Sequence, residues 1–129
     1  MHDFSLMGID IGTSAVKVLL WHSDGSMRQA RRPAKESYVT GFGAGIPEQD
    51  PVKLWQIVTR CIREALKGYD PRNVQGVGLS GHGPSLAAVA SNGDPVSNII
   101  TWMDPRPLMI EECRNAYNGP SFEATAKWI

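Results

Sequence analysis

The chain has no excess of charge of either sign, which bears on the partners it can bind. Its 129 residues contain 13 Lys and Arg against 13 Asp and Glu. A nucleic-acid surface or a polybasic membrane patch needs an excess of positive charge, so we expect neither partner. One short basic cluster is predicted to be a solvated strand surface: Arg28, Arg31, Arg32 and Lys35.

Cysteines and long hydrophobic runs are also scarce. The two cysteines, Cys61 and Cys113, have no second Cys or His at the close spacing of a structural zinc site. They are predicted to be buried, reduced thiols. No run approaches the length of a membrane-spanning helix, and no basic region precedes the first apolar stretch. We therefore expect a soluble, cytoplasmic protein of one domain, without internal repeats.

The first third of the chain predicts three antiparallel strands. Residues 6–11 and 15–21 are rich in large apolar and β-branched side chains, and a turn at 23–25 precedes a third run at 27–35. The short connections predict a meander. Residues 36–49, with several glycines, are predicted to form a loop.

A helix is predicted from Pro51 to about Lys67. Asp50 can cap its free N–H groups, Pro51 suits the first helical position, and Gly68 can end it. Apolar residues recur at three- and four-residue spacing and predict one face that packs on the sheet. They are Leu54, Trp55, Val58, Cys61, Ile62, Ala65 and Leu66.

The second half predicts further strands and helices. A strand at 74–80 leads into a polar corner at 81–85, followed by an apolar run at 86–90 and a turn at 91–94. A last short strand is predicted at 99–102. Helical segments are predicted at 108–117 and from 121 onwards.

The connection between the first two strands carries the chemistry of a phosphate site. Asp10 ends the apolar run of the first strand, and Gly12 allows a positive φ or a close approach to the backbone. The N–H groups of Gly12, Thr13 and Ser14 could face a phosphate while Asp10 faces its cation. Lys17 is the only charged residue of the second strand. The alternative is that Asp10 merely caps a hairpin turn.

Four motifs in one order resemble the FGGY carbohydrate kinases, especially their xylulokinase-like branch, over almost the whole chain. They are Asp10-Ile11-Gly12-Thr13-Ser14 with Lys17, Pro47-Glu48-Gln49-Asp50-Pro51 with Trp55, residues 78–83 with His82, and Trp102-Met103-Asp104-Pro105-Arg106. The resemblance implies an α/β fold of the ribonuclease-H-like class, which actin, heat-shock chaperones and sugar kinases share. Its mixed sheet would start with the three-stranded meander.

The resemblance also implies roles on the phosphate side. Asp10 would help to position the Mg²⁺ of ATP, and Gly12, Thr13 and Ser14 would meet its phosphates. Lys17 matches a basic position near the transferring phosphate. Such an arrangement suits phosphoryl transfer, in which catalysis is mostly positioning and charge neutralisation.

On the sugar side, the resemblance implies contacts from Gly81, His82, Trp102 and Asp104. An imidazole can hydrogen-bond a hydroxyl, an indole can stack on a sugar, and a carboxylate can accept from paired hydroxyls. The family's Gly-Gln-Met-His-Gly differs here, since Gly81 replaces the Met and Ser80 the Gln. The identity of the sugar therefore does not carry over from xylulokinase.

Each of these side chains also has a plainer interpretation. His82 could bond nearby backbone, Trp102 could belong to the core, and Asp104 could cap the next helix or pair with Arg106. The segment from Glu48 to Trp55 is interpreted as mainly structural, with Gln49 as a weak candidate for a loop contact.

The resemblance places the general-base Asp, the second phosphate loop and the adenine pocket beyond Ile129. Residues 1–129 are therefore expected to be the N-terminal part of the first domain of such a kinase, without the second domain and inactive alone. The full-length protein could form a homodimer. Two alternatives are a non-catalytic sugar-binding module and another ATPase of the actin-like superfold. His82 and Trp102-Met103-Asp104 argue against the latter, because those scaffolds have no sugar to contact.

Overall fold

The structure is a computed structural model and describes residues 4–40 and 47–104. The strands are β1 (Ser5–Ile11), β2 (Ala15–His22), β3 (Met27–Pro33), β4 (Glu48–Gln49), β5 (Val74–Gly81) and β6 (Ile99–Ile100). The helix α1 spans Pro51–Ala65, and short 3-10 helices span Lys35–Ser37 and Pro71–Asn73.

The main sheet has the strand order β3-β2-β1-β5. The first three strands are antiparallel neighbours, whereas β5 pairs parallel to β1. Parallel pairing requires a long crossover, and α1 supplies it between β3 and β5. The predicted meander and mixed α/β sheet are thus confirmed. A second, two-stranded sheet pairs β4 with β6.

The start of α1 follows its sequence signals. The Asp50 carboxylate accepts hydrogen bonds from the N–H groups of Val52 and Lys53 at 2.8 and 3.1 Å, and Pro51 occupies the first turn. The helix ends at Ala65, two residues before the predicted Lys67, and Gly68 follows with a φ of +74°. The Arg28 guanidinium donates to the backbone carbonyls of Ala65 and Lys67, and so satisfies groups that the helix end leaves free.

The core lies between α1 and one face of β1, β2 and β3. From the helix it contains Leu54, Ile57, Val58, Cys61 and Ala65, and from the strands Met7, Ile9, Val16, Val18, Leu20 and Ala30. The predicted burial of Cys61 is confirmed.

The prediction that Trp55 belongs to this helix face is wrong, because Trp55 is 63% exposed and Ile57 takes its place at 3%. Successive residues are rotated by about 100° around the helix axis, so the Trp55 side chain points to a different side of α1 from the Leu54 side chain.

Three other segments differ from the sequence predictions. The third strand ends at Pro33 rather than at residue 35, and the predicted loop 36–49 contains part of a 3-10 helix and β4. The last strand stops at Ile100 because the chain turns there, with the Asp104 N–H donating to the Thr101 carbonyl at 3.0 Å. The apolar run 86–90 forms only isolated bridges.

The predictions for Cys113, Arg106 and the helices at 108–117 and from 121 lie outside the described residues. Within the described ranges, no helix is long and apolar enough to cross a membrane. The basic cluster is exposed as predicted, at Arg28, Arg31, Arg32 and Lys35.

Candidate functional site

The turn between β1 and β2 is closed by its own backbone. The Gly12 N–H donates to the Ala15 carbonyl at 3.1 Å, which leaves Thr13 and Ser14 as a two-residue loop. Gly12 does not have a positive φ. A Cβ at this position would instead lie 3.1 Å from the Ala15 oxygen, which is tighter than most Cβ contacts, so the close approach favours glycine. The Gly12 N–H is therefore bonded to the Ala15 carbonyl in this structure, and a phosphate contact from Gly12 stays a prediction. The Thr13 and Ser14 amides remain as donors.

Asp10 and Lys17 face each other across the same hairpin. They are direct cross-strand partners, and the Lys17 Nζ lies 3.2 Å from the Asp10 Oδ2. Their side chains are 45% and 49% exposed respectively, so both remain accessible to a ligand. Among the described residues, no backbone N–H donates to the Asp10 carboxylate, and the hairpin-cap interpretation is wrong.

A row of polar residues that includes Asp10 and Lys17 crosses all four strands of the main sheet. Ser80 on β5 lies beside Asp10, Asp10 beside Lys17, and Lys17 beside Arg31 on β3. Cross-strand partners project from the same face of a sheet, here the face opposite α1. A shallow cavity of about 480 Å³ lies on this face. Its lining includes Gly8, Asp10, Lys17, Leu19, Gly78 and Ser80.

The parallel pairing of β1 and β5 joins the turn to the polar corner. Ile11 pairs with Gly81, and the His82 N–H then donates to the Ile11 carbonyl at 3.1 Å. The carboxyl ends of both strands therefore lie at one edge of the sheet. The first and third motifs are far apart in sequence, but they lie at the ends of neighbouring strands.

Ser85 organises the corner. Its Oγ lies 2.8 Å from the His82 Nδ1 and accepts a hydrogen bond from the Trp102 N–H at 3.2 Å. His82 is thus held by a side chain and not only by backbone. Burial lowers the pKa of His82, so the ring is neutral at pH 7 and offers one donor and one acceptor nitrogen. Sequence reasoning gave Ser85 no role, although its position three residues after His82 was a usable signal.

The remaining predicted sugar-side residues lie next to this corner in sequence or space. Trp102 is 56% exposed, so the interpretation as a core residue is wrong. Gly81 is exposed and ends β5, and Asp104 is partly buried after the turn that follows β6. The interpretation of Asp104 as a helix cap involves residues outside the described ranges.

The second motif has a structural role, as predicted. Asp50 caps α1, and Gln49 is fully buried with its Nε2 donating to the Ser37 Oγ at 3.0 Å. The loop contact considered for Gln49 is therefore made inside the fold, to Ser37 of the segment predicted as a loop.

The donor set fits a cation that arrives with a phosphate ligand rather than a resident metal. Within residues 4–40 and 47–104, no three His, Cys, Asp or Glu side chains are grouped to hold a metal ion. Mg²⁺ is commonly bound by one or two carboxylates together with substrate phosphates and water. The accessible Asp10 carboxylate lies on the strand that leads into the turn with two free amides, and this suits that mode.

Comparison with known proteins decides the family. Residues 5–125 match the model of the N-terminal domain of the FGGY family of carbohydrate kinases. The chain belongs to this family. The FGGY match covers both the hairpin with Asp10 and the corner with His82.

Individual FGGY relatives differ in the substrates in their names. The chain is 29% identical to a xylulose kinase of Staphylococcus epidermidis over 111 residues, which are 84% of this chain and 22% of the relative. It is 29% identical to a probable L-xylulose kinase of Pasteurella multocida over 106 residues, covering 81% and 22%. The crystal structure of gluconate kinase from Lactobacillus acidophilus superposes with a TM-score of 0.72 at 22% identity, covering 89% of this chain and 23% of that one.

These comparisons confirm the expected fold, since the structural neighbours are FGGY sugar kinases with the same mixed α/β arrangement. The chain spans about a fifth of the length of its relatives, at 22% for both kinases above.

Proposed function

We propose that this chain is the N-terminal part of the first domain of an ATP-dependent carbohydrate kinase. The whole protein would transfer the γ-phosphate of ATP to a hydroxyl of a xylulose-like ketose or a related polyol. One observation carries the proposal. Because β1 and β5 pair in parallel, the Thr13–Ser14 turn and the His82 corner both follow strand ends at the same edge of the sheet. A phosphate donor and a hydroxyl acceptor must meet in this way.

On the phosphate side, four groups of the chain are suited to ATP. The Thr13 and Ser14 amides can donate to phosphate oxygens, and the Lys17 ammonium can neutralise their charge. The Asp10 carboxylate would hold the Mg²⁺ that accompanies ATP. When bound, that ion would neutralise charge on the phosphates. Because Lys17 and Asp10 form an ion pair at 3.2 Å, their charges are balanced before the nucleotide binds.

On the sugar side, the Nδ1 of the neutral His82 ring is bonded to the Ser85 Oγ, so its Nε2 can donate to or accept from a hydroxyl group, according to the tautomer. The exposed Trp102 indole offers an apolar face for the C–H surface of a sugar, and Asp104 offers an acceptor. Gly81 contributes no side chain and leaves room for the substrate. The small residues Ser80 and Gly81 make this part of the proposed sugar site differ from that of the xylulokinase-like motif.

The remaining components belong to the rest of the protein. We place the general-base Asp, the second phosphate loop and the adenine pocket beyond Ile129, so residues 1–129 alone would not turn over. A small-molecule substrate, a cytoplasmic setting and the absence of nucleic-acid and membrane partners belong to the same proposal. A homodimer of the full-length protein stays a prediction.

A substrate screen with the full protein tests the reaction class. Pentuloses, hexuloses, polyols and glycerol are each supplied with Mg²⁺ and ATP, and ATP consumption is followed. We expect consumption with at least one of these acceptors. Sugar binding by calorimetry without any ATP consumption would instead indicate a non-catalytic sugar-binding module.

The Asp10→Ala variant tests the phosphate side. Loss of the carboxylate should lower kcat by ~10²-fold or more, with sugar affinity retained. Asp24→Ala is the matched control, because Asp24 lies in the turn after β2 and its carboxylate accepts from the Ser26 N–H. Full activity of Asp10→Ala would refute the assignment of Asp10 to the phosphate site.

A further inference from the structure

The two carbonyl groups of the Thr13–Ser14 turn are both held by one neighbouring segment. The Tyr38 hydroxyl donates to the Thr13 carbonyl at 3.0 Å, and the Ala34 N–H donates to the Ser14 carbonyl at 3.0 Å. Among the described residues, the Thr13 and Ser14 amides have no acceptor. The turn therefore has its acceptors bound to protein and its donors available.

The geometry of the peptide bond links these two facts. In a trans peptide, the carbonyl of one residue and the N–H of the next point in opposite directions. A bond that fixes the Thr13 carbonyl therefore also fixes the direction of the Ser14 N–H, away from Tyr38. Donation to a carbonyl also polarises its peptide group and strengthens its N–H as a donor.

Tyr38 is itself held in place. The Ser37 Oγ donates to the Ala34 carbonyl at 2.6 Å and accepts from the buried Gln49 Nε2 at 3.0 Å. Tyr38 also bridges to Gln49, so the segment is anchored on β4. Burial raises the pKa of the half-buried Tyr38 phenol. The hydroxyl therefore keeps its proton and acts as a donor at neutral pH.

From these contacts we propose that Tyr38 is a positioning residue, which aims the Ser14 N–H at a phosphate group of the bound nucleotide. The inference rests on the proposed kinase function and adds to it a residue 25 positions from the turn it orients. Tyr38 acts through the Thr13–Ser14 peptide and does not touch the substrate.

Kinetics of the Tyr38→Phe variant in the full protein provide the first test. Removing one hydroxyl should raise the KM for Mg·ATP about 3- to 10-fold, the range for one hydrogen bond, with the sugar KM unchanged. Tyr69→Phe is the matched control. The Tyr69 hydroxyl bonds the Ser5 Oγ near the start of β1, at the opposite end of the strand from the turn, and we expect both KM values to stay at wild-type levels.

A second test reads the Ser14 amide directly. In protein labelled with ¹⁵N-serine, Mg·ADP should shift the Ser14 amide resonance in the wild type and shift it less, at higher ligand concentration, in Tyr38→Phe. The same shift and affinity in both proteins would overturn the role of Tyr38 while leaving the kinase proposal intact. If the wild type does not bind Mg·ADP, the proposed function itself fails, and the inference with it.

Discussion

Asp10 and Lys17 occupy directly opposed positions on β1 and β2, with 3.2 Å between the Asp10 Oδ2 and the Lys17 Nζ. Both side chains are about half exposed, and such pairs contribute at most about 1 kcal/mol to stability. The pair therefore has little structural value. The proposed function gives the pair a role in ligand binding, because each charge would have a partner in a magnesium nucleotide.

Replacement of Lys17 by Met separates these two explanations. We expect the free energy of unfolding to change by less than about 1 kcal/mol, while kcat/KM for Mg·ATP falls by ~10²-fold. Arg31→Met is the matched control, since Arg31 is the exposed cross-strand neighbour of Lys17 on β3. Equal losses of kcat/KM in the two variants would show that the sheet needs positive charge in general and not Lys17.

The Gly12→Ala variant should distort the phosphate turn. Its Cβ would lie 3.1 Å from the Ala15 carbonyl oxygen, so the backbone has to shift, at a cost of about 1–3 kcal/mol of stability. The KM for Mg·ATP should rise with it. Gly8→Ala on β1 is the control for stability, since a Cβ there meets no described atom within 4 Å. A thermal midpoint for Gly12→Ala that matches that of Gly8→Ala would contradict the close-approach argument.

The Ser85→Ala variant tests the sugar corner. Loss of the hydroxyl removes the link between the His82 ring and the Trp102 backbone. We expect the sugar KM to rise about 3- to 10-fold and the KM for ATP to stay constant. Ser97→Ala is a suitable control, because the Ser97 Oγ also accepts from a backbone N–H, that of Ala88. A rise in the KM for ATP alone would contradict the assignment of Ser85 to the sugar side of the site.

His82 predicts a component in the pH dependence of stability. Burial lowers its pKa below the ordinary value of 6.5, so the unfolded chain binds this proton more readily than the folded one. Stability is therefore lost as the pH falls through about 6.5, and the loss levels off below the folded-state pKa. The His82→Asn variant should lack this component. Urea midpoints at pH 7.5 and 5.5 would measure it, and a constant difference between the two proteins would disprove it.

The face of α1 can be tested by a pair of substitutions within one turn of the helix. Ile57→Ala removes a side chain that is 3% exposed and should cost about 2–5 kcal/mol. Trp55→Ala removes a larger side chain that is 63% exposed and should change stability by less than about 0.5 kcal/mol. Denaturant titration compares the two. A larger loss for Trp55→Ala would mean that another part of the protein covers Trp55.

Local sequence signals predicted the elements that local physics determines. Alternating apolar residues gave β1 and β2, and Asp50 with Pro51 gave the start of α1 because capping involves only adjacent residues. The opposition of Asp10 and Lys17 likewise follows from a two-residue turn.

Contacts between distant segments could not be predicted in this way. The hydrogen bond from Tyr38 to Thr13 depends on how the 3-10 helix after β3 lies behind the turn. The link from Ser85 to Trp102 depends on the bridge between Leu86 and Ile100. Trp55 was misplaced because helical periodicity alone does not define the edge of the surface that the sheet covers.

The parallel ladder between β1 and β5 also limits how the substrates can be brought together. The Thr13–Ser14 turn and the His82 corner begin at the ends of these two strands, which pair without interruption from Leu6–Gly76 to Ile11–Gly81. The hydrogen bond from the His82 N–H to the Ile11 carbonyl extends this pairing. The phosphate turn and the sugar corner cannot approach each other without breaking these bonds. In the proposed kinase, the Thr13–Ser14 turn and the His82 corner would therefore keep their separation while the ligands bind.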